Sequence, residues 1–236
     1  MPFYKVTYSE KYRRASVHNR GCDYRCIGCA YKIKEVRPVE HWPSLEEIKA
    51  TLLALDLQQL NFMGGEPTSC PDLPEMLRFG KDELGVRTML GHTTAWRLPL
   101  ENLDAANVSL KAFSNEKHLE YTGKPAEPAY ANFRRGFEAG IEMKASCVYI
   151  PGFIDREEIR GMLEYLAGLS PAIPFHIMGY IPIPGTPWQR PTDDQMREMV
   201  EFAKGYLETV TFSHLTVEDA RDYTRRDDRF RVVQVL

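Results

Sequence analysis

The chain has 236 residues, 43% hydrophobic and 27% charged, with a net charge of −3. That is enough for one domain with a sizeable core. Neither sign of charge forms a long block, so nothing signals an electrostatic nucleic-acid binder, and the mixed run around Arg225-Arg226 reads as a solvated face. The start, Met-Pro-Phe-Tyr-Lys-Val-Thr-Tyr, lacks the apolar core of a signal peptide, and no stretch approaches the ~20 apolar residues of a membrane span. A cytoplasmic location is expected, because an odd total of five cysteines does not suit a secreted disulfide framework.

In chain order, the first strand expected is Ala15 to His18, and it runs into Gly-Cys-Asp-Tyr-Arg-Cys-Ile-Gly-Cys. Cys22, Cys26 and Cys29 there form a Cys-x3-Cys-x2-Cys loop. Three thiolates on one loop suit a [4Fe–4S] cube with one iron left open, since a cube normally takes four cysteines. The competing reading is structural zinc, with Cys70 or His18 as fourth ligand, although the second Cys-x2-Cys pair of a zinc ribbon is missing.

Ser44 with Glu47 is a capping box, and Leu45, Ile48, Leu52 and Leu55 follow at the helical period. A strand from Leu60 to Met63 leads into Gly64-Gly65-Glu66-Pro67, and one from Val86 to Leu90 into His92-Thr93-Thr94. The next strand, Val108 to Lys111, precedes a helical stretch on which His118 reads as a surface histidine beside Glu116 and Lys117. Ala145 to Ile150 ends at Pro151-Gly152, and Asp155 then opens a helix with Ile159, Leu163 and Leu166. On that strand Cys147 reads as a small buried hydrophobe, with hydrogen-atom donation as its alternative.

Phe175 to Tyr180, where His176 reads as a satisfied core histidine, leads to Pro182-Ile183-Pro184-Gly185. Trp188 beyond it would cap the mouth. Thr192 and Gln195 open the last clear helix, and Val210 to Leu215 would add one edge strand.

This alternation is α/β: six parallel strands wrapped by helices, with every polar motif at a strand's carboxyl end, as in barrel enzymes. Six units are fewer than the eight of a closed barrel, so a partial, open parallel (β/α)6 TIM-type barrel is expected. It would span residues 1–236 as one domain, with 218–236 as an unplaced C-terminal extension.

The cysteine loop resembles the signature of the radical S-adenosylmethionine (SAM) enzymes, and Gly64-Gly65-Glu66-Pro67 resembles their second motif. The resemblance implies that Cys22, Cys26 and Cys29 ligate a [4Fe–4S] cluster whose open iron chelates SAM. It implies that Gly64, Gly65 and Glu66 read the SAM amino group, since glycines admit backbone carbonyls and a carboxylate complements an ammonium. It places Thr93 and Thr94 near the SAM ribose or carboxylate, and Met178 and Tyr180 near the adenine. The residue before the third cysteine, commonly aromatic in the family, is here Gly28, and Tyr31 is the candidate to replace it.

A narrower similarity joins Val108-Ser109-Leu110-Lys111, His118, Thr122-Gly123 and the run from Val148 to Asp155 to the glycyl-radical-enzyme activating enzymes. It makes Lys111 the catalytic-site lysine that anchors SAM and puts Ser109 where those proteins carry aspartate. Implied partners are an electron donor such as flavodoxin or ferredoxin, with either a glycyl-radical enzyme or a small metabolite or nucleotide as substrate. A non-catalytic iron–sulfur or zinc protein is the remaining alternative.

Overall fold

The computed structural model describes residues 2–33, 38–222 and 228–236, so the Arg225-Arg226 pair lies outside the described residues. Strand β1 (Phe3–Ser9) turns antiparallel into β2 (Arg14–Asn19). Strands β3 (Gln59–Gly64), β4 (Arg87–Thr93), β5 (Ala105–Ser109), β6 (Glu142–Tyr149), β7 (Phe175–Gly179) and β8 (Val210–Ser213) then add in sequence, each parallel to its predecessor. A short β9 (Val233–Gln234) pairs antiparallel with β1, and the order β8-β7-β6-β5-β4-β3-β2-β1-β9 never closes. The architecture is therefore the expected α/β open partial barrel. Val210–Ser213 supplies its seventh parallel strand.

The described α-helices are α1 (Leu45–Leu53), α2 (Leu73–Asp82), α3 (Asn115–Thr122), α4 (Glu127–Glu138), α5 (Arg156–Leu169), α6 (Asp193–Lys204) and the short α7 (Val217–Arg221). The capping boxes at Ser44–Glu47 and Thr192–Gln195 both form, and Asp155 accepts from the Arg156 N–H. Each such cap satisfies backbone donors that a helix start otherwise leaves unpaired.

The pleat of the strands decides which residues meet the helices. On β6, Met143, Ala145, Cys147 and Tyr149 are buried in the apolar core, whereas the alternating Glu142, Lys144, Ser146 and Val148 are not fully buried. Alternate positions on successive strands, among them Ser16, Asn61, Met89, Asn107, Lys144 and His176, instead line one cavity of about 2880 Å3. The sheet thus has an apolar helix-covered face and a polar concave face.

Several expectations need correction. Strand β4 runs on through His92 and Thr93, so only Thr94 belongs to the loop after it. Strand β5 starts at Ala105 and stops at Ser109, leaving Lys111 beyond its end, because pairing with β6 sets its limits. β1 was not expected, since an antiparallel edge strand has no helix after it to reveal it by alternation. His118 is no surface residue; it is 1% exposed on the inner side of α3. Among the described residues no helix is long and apolar enough to cross a membrane.

Candidate active site

The cysteine loop is locked from three directions. From β2, the Asn19 side chain, 1% exposed, donates to the carbonyls of Gly21 (3.0 Å) and Glu66 (2.8 Å). From the double-glycine loop, Gly65 N–H donates to Asn19 O (3.0 Å) and Glu66 N–H to Gly21 O (2.8 Å). The two loops lie so close that a Cβ on Gly65 would sit 1.9 Å from Gly21 O, and one on Gly64, where φ is +110°, 2.2 Å from Asn19 O. Only glycine fits at either position. From α3, the terminal carbonyls of Tyr121 and Thr122 accept from the N–H groups of Ile27 and Arg25, both at 2.9 Å. Gly123, left-handed at φ 73°, ends that helix where the loop needs those carbonyls free.

Glu66 organises the second wall. Its carboxylate is fully buried, and among the described residues five donors reach it. They are Thr68 Oγ1 (2.7 Å) and N–H (3.2 Å), Thr93 Oγ1 (2.7 Å), and Thr94 N–H (2.6 Å) and Oγ1 (2.7 Å). A carboxylate offers about four lone-pair sites, so this one is saturated from within the protein. Gly64 and Gly65 line the cavity; Glu66 does not. The structure therefore leaves the double-glycine segment, rather than the carboxylate, facing the cavity, and turns the hydroxyls of Thr93 and Thr94 toward Glu66.

Cys22 is exposed, Cys26 and Cys29 are half-buried, and Cys22 and Cys29 open onto the cavity. Although Cys22 is exposed as a residue, desolvation by the surrounding protein pushes its thiol up to about 11, opposed by the Tyr24 N–H, and raises the Cys26 thiol, opposed by the Lys111 charge. Lys111, half-buried, donates to Ser109 Oγ at 2.8 Å. Among the described residues no carboxylate forms an ion pair with this ammonium, whose charge lowers the Cys26 thiol. Among the described residues no three Cys, His, Asp or Glu side chains converge as a single-ion cage. One loop thus offers three thiols, a donor set that suits a cube with one iron left open, whereas structural zinc needs four protein ligands. His18 instead pairs with Thr7 Oγ1 at 2.9 Å, and Cys70 is buried in the core, so neither completes a zinc site.

Gly28 leaves room for aromatics from elsewhere. A Cβ there would meet Tyr121 Oη at 2.7 Å and the Tyr180 ring at 3.2 Å. Trp188 stacks on Phe153 at 4.4 Å and meets Tyr121 and Tyr180 edge-on. Tyr180 is thereby 1% exposed behind the loop, while Met178 stays half-buried on the same strand face as His176 and Tyr31 lies at the cavity rim. His176 is satisfied by Thr211 Oγ1 (2.8 Å) and Ser213 Oγ (3.0 Å), yet it lines the cavity. Cys147 is fully buried among the helices, on the opposite face from a radical site.

Two residues with a part in this site escaped the sequence reading, and a third, His118, was expected at the surface. Asn19 and Tyr121 act through contacts remote in sequence, which no local pattern reports. His118 packs edge-on against Tyr24 of the cysteine loop at 5.8 Å, and its proximity to Thr122-Gly123, a helix terminus, was the available signal.

Comparison with known proteins agrees with this geometry. A protein of Methanocaldococcus jannaschii named "Putative glycyl-radical enzyme activating enzyme" is 27% identical over 207 residues, 82% of this chain and 78% of its own. The GTP 3',8-cyclase of Chlorobaculum tepidum is 28% identical over 112 residues, 43% of this chain and 33% of its own. In structure, Streptococcus suis SuiB bound to S-adenosylmethionine superposes with a TM-score of 0.62 at 19% identity, over 83% of this chain and 48% of that one. The chain thus spans about half the length of SuiB. The model of the Radical SAM superfamily matches residues 16–166, from the first parallel strand through the cysteine loop and the double-glycine loop to α5. The chain belongs to the radical SAM superfamily, and is an enzyme whose cofactors are a [4Fe–4S] cluster and SAM.

Proposed function

We propose that this enzyme cleaves SAM reductively and abstracts a hydrogen atom from a substrate held in the barrel. The observation that carries the reading is the lock between the cysteine loop and Gly64-Gly65 at the rim of one cavity, two loops that nothing but glycine lets approach so closely. When bound and reduced, the cluster supplies the electron that splits the SAM sulfonium into methionine and a 5′-deoxyadenosyl radical.

The chain's own residues have separable parts. Cys22, Cys26 and Cys29 ligate three irons; the backbone of Gly64 and Gly65 holds the SAM ammonium; Lys111, steadied by Ser109, anchors the SAM carboxylate or ribose. Glu66, with Thr93 and Thr94, positions the glycine loop. Met178, half-buried on β7, and Tyr31, at the cavity rim, are the candidates for the adenine, and the Tyr121, Tyr180 and Trp188 group excludes water behind Gly28. An external donor of the flavodoxin or ferredoxin kind would reduce the site from the side on which Cys22 is exposed.

The name of the M. jannaschii relative supports a glycine in a partner protein as hydrogen donor. The size and polarity of the cavity favour a second reading, a small metabolite or nucleotide. Either version is tested by reducing cluster-loaded protein anaerobically with dithionite in the presence of SAM. Release of 5′-deoxyadenosine and methionine is expected; S-adenosylhomocysteine alone, or no nucleoside product, would replace the radical reading by methyl transfer or a passive cluster.

A further inference from the structure

Lys111 stands on a short strap. Residues 110–114 join β5 to α3, and α3 ends where the Tyr121 and Thr122 carbonyls receive the Ile27 and Arg25 N–H groups of the cysteine loop. One segment therefore sets both the place of the lysine and the entry of the helix that holds the loop. Its conformation is imposed from outside. Leu110 N–H donates to Ser146 O of β6 (2.8 Å), and the Ala112 carbonyl accepts from Tyr130 Oη of α4 (3.0 Å).

The last two residues of the strap are held by α5. One carboxylate oxygen of Glu158 accepts from both the Phe113 N–H (2.6 Å) and the Ser114 N–H (2.9 Å). Gly161, three positions on and so on the same face of α5, is the seat of the Phe113 ring, since a Cβ there would lie 2.2 Å from that ring. Lys117 Nζ, from the first turn of α3, donates to Phe153 O (2.7 Å) just ahead of α5. Glu158 is buried, at 6% exposure, and neither it nor Gly161 lines the cavity. Burying a carboxylate is unfavourable unless hydrogen bonds compensate it, and bonds to a charged acceptor are about twice as strong as neutral ones. The charge also lies at the amino end of α3, where the helix dipole favours it. The eight residues of α3 make a rod of about 12 Å, so a displacement at Ser114 is carried through to Thr122.

We propose that Glu158 is a positioning residue for the radical SAM reaction: from α5 it fixes the strap, and through the strap both Lys111 and the hold of α3 on the cysteine loop. The lysine half rests on the function proposed above, in which Lys111 anchors SAM. The loop half rests on the hydrogen bonds of Arg25 and Ile27 alone.

The test uses cluster-replete protein under anaerobic conditions. Its readouts are SAM affinity, from EPR titration of the reduced cluster, and amide hydrogen exchange at Arg25 and Ile27. Glu158→Ala should weaken SAM binding by about ten- to a hundredfold and speed that exchange by a similar factor. Glu158→Gln, whose amide oxygen can still accept from both N–H groups without the charge, should recover most of both losses. Asp104→Ala controls for mere loosening of the fold, because Asp104 accepts from Thr88 N–H (2.8 Å) and Lys81 (2.9 Å) at the opposite end of β5. It should lower the melting temperature yet keep the parent's SAM affinity and exchange. Parent-like values of both readouts in Glu158→Ala, or equal losses in Asp104→Ala, overturn the proposal. If Glu158→Ala does not fold, Glu158→Asp, which keeps the charge but withdraws the carboxylate by one methylene, should show the same losses, and parent-like values there overturn it equally. Lys111→Ala separates the two halves: weakened SAM binding with unchanged exchange is expected. Parent-like SAM binding in Lys111→Ala would remove the lysine from the function proposed above, and exchange in the Glu158 variants then decides the positioning of the cysteine loop by itself.

Discussion

At the scale of single residues, Glu66 is a motif carboxylate whose hydrogen bonds to Thr68, Thr93 and Thr94 tie the glycine loop to its neighbours. In Glu66→Gln one oxygen becomes an NH2 that must face a donor instead of accepting from it. Breaking such buried bonds costs about 1–3 kcal/mol, so the melting temperature should fall and SAM affinity with it, as the glycine loop loosens. Unchanged stability combined with weakened SAM binding would mean that the carboxylate touches SAM after all. His118 makes a second prediction. Burial, assisted by the Lys111 charge and opposed by the Lys124 carbonyl and Glu158, holds its pKa below the ordinary imidazole value. The unfolded chain then binds the proton more readily, so this contribution is complete above about pH 6.5 and is lost as the pH falls toward the folded value. His176 shifts in the same direction through burial and the Arg229 charge. Melting curves between pH 5.5 and 7.5 should slope by at most about 1.4 kcal/mol per pH unit for each such group. His118→Gln should flatten them, and an unaltered slope would remove His118 from the account.

Among elements, the decisive contact is that of two loops which contribute no regular structure. The cysteine loop draws its hydrogen bonds from β2, from the double-glycine loop and from the end of α3, so its shape is imposed by neighbours rather than by its own sequence. Gly65→Ala would drive a methyl group into Gly21 O, a backbone atom that cannot rotate away. The variant should lose the brown cluster chromophore, or hold it only transiently, while far-UV circular dichroism stays close to the parent's. Full iron and sulfide content in Gly65→Ala would show that the loops need not touch. The aromatic group behind Gly28 follows the same logic: Tyr121, Phe153, Tyr180 and Trp188 come from three separate parts of the chain to fill one space.

Across the whole molecule, an open sheet has two edges to manage. On one of them the C-terminal residues run beside β1, with Val6 N–H donating to Leu236 O (2.9 Å) and Val235 N–H to Val6 O (3.0 Å). Asp228 is tied to Lys11 and Tyr12 at the far end of the same edge. Deleting residues 228–236 should uncover β1, lower the melting temperature and promote self-association, since an unpaired edge strand is a template for pairing. Cluster content should persist, because the cysteine loop lies at the opposite end of β2 from Asp228. Light scattering and iron analysis on the truncated chain check both halves of this expectation.

What the sequence alone determined was whatever is encoded over a few neighbouring residues. The Cys-x3-Cys-x2-Cys spacing, the Gly64-Gly65-Glu66 run, the capping boxes and the alternation of strand with helix are all local, and together they carried the class of enzyme and its open barrel. Tertiary structure decided what depends on distance through space. It buried His118, turned Glu66, Thr93 and Thr94 toward one another, put Tyr121 and Tyr180 beside Gly28, and set edge strand β1 against β9. It also gathered basic side chains from four strands and from the segments between elements around one concave face, although the chain as a whole is slightly acidic. The physical reason is the pleat: each strand sends alternate residues to opposite faces, so the charge of a cavity is summed across the sheet and appears in no stretch of the sequence.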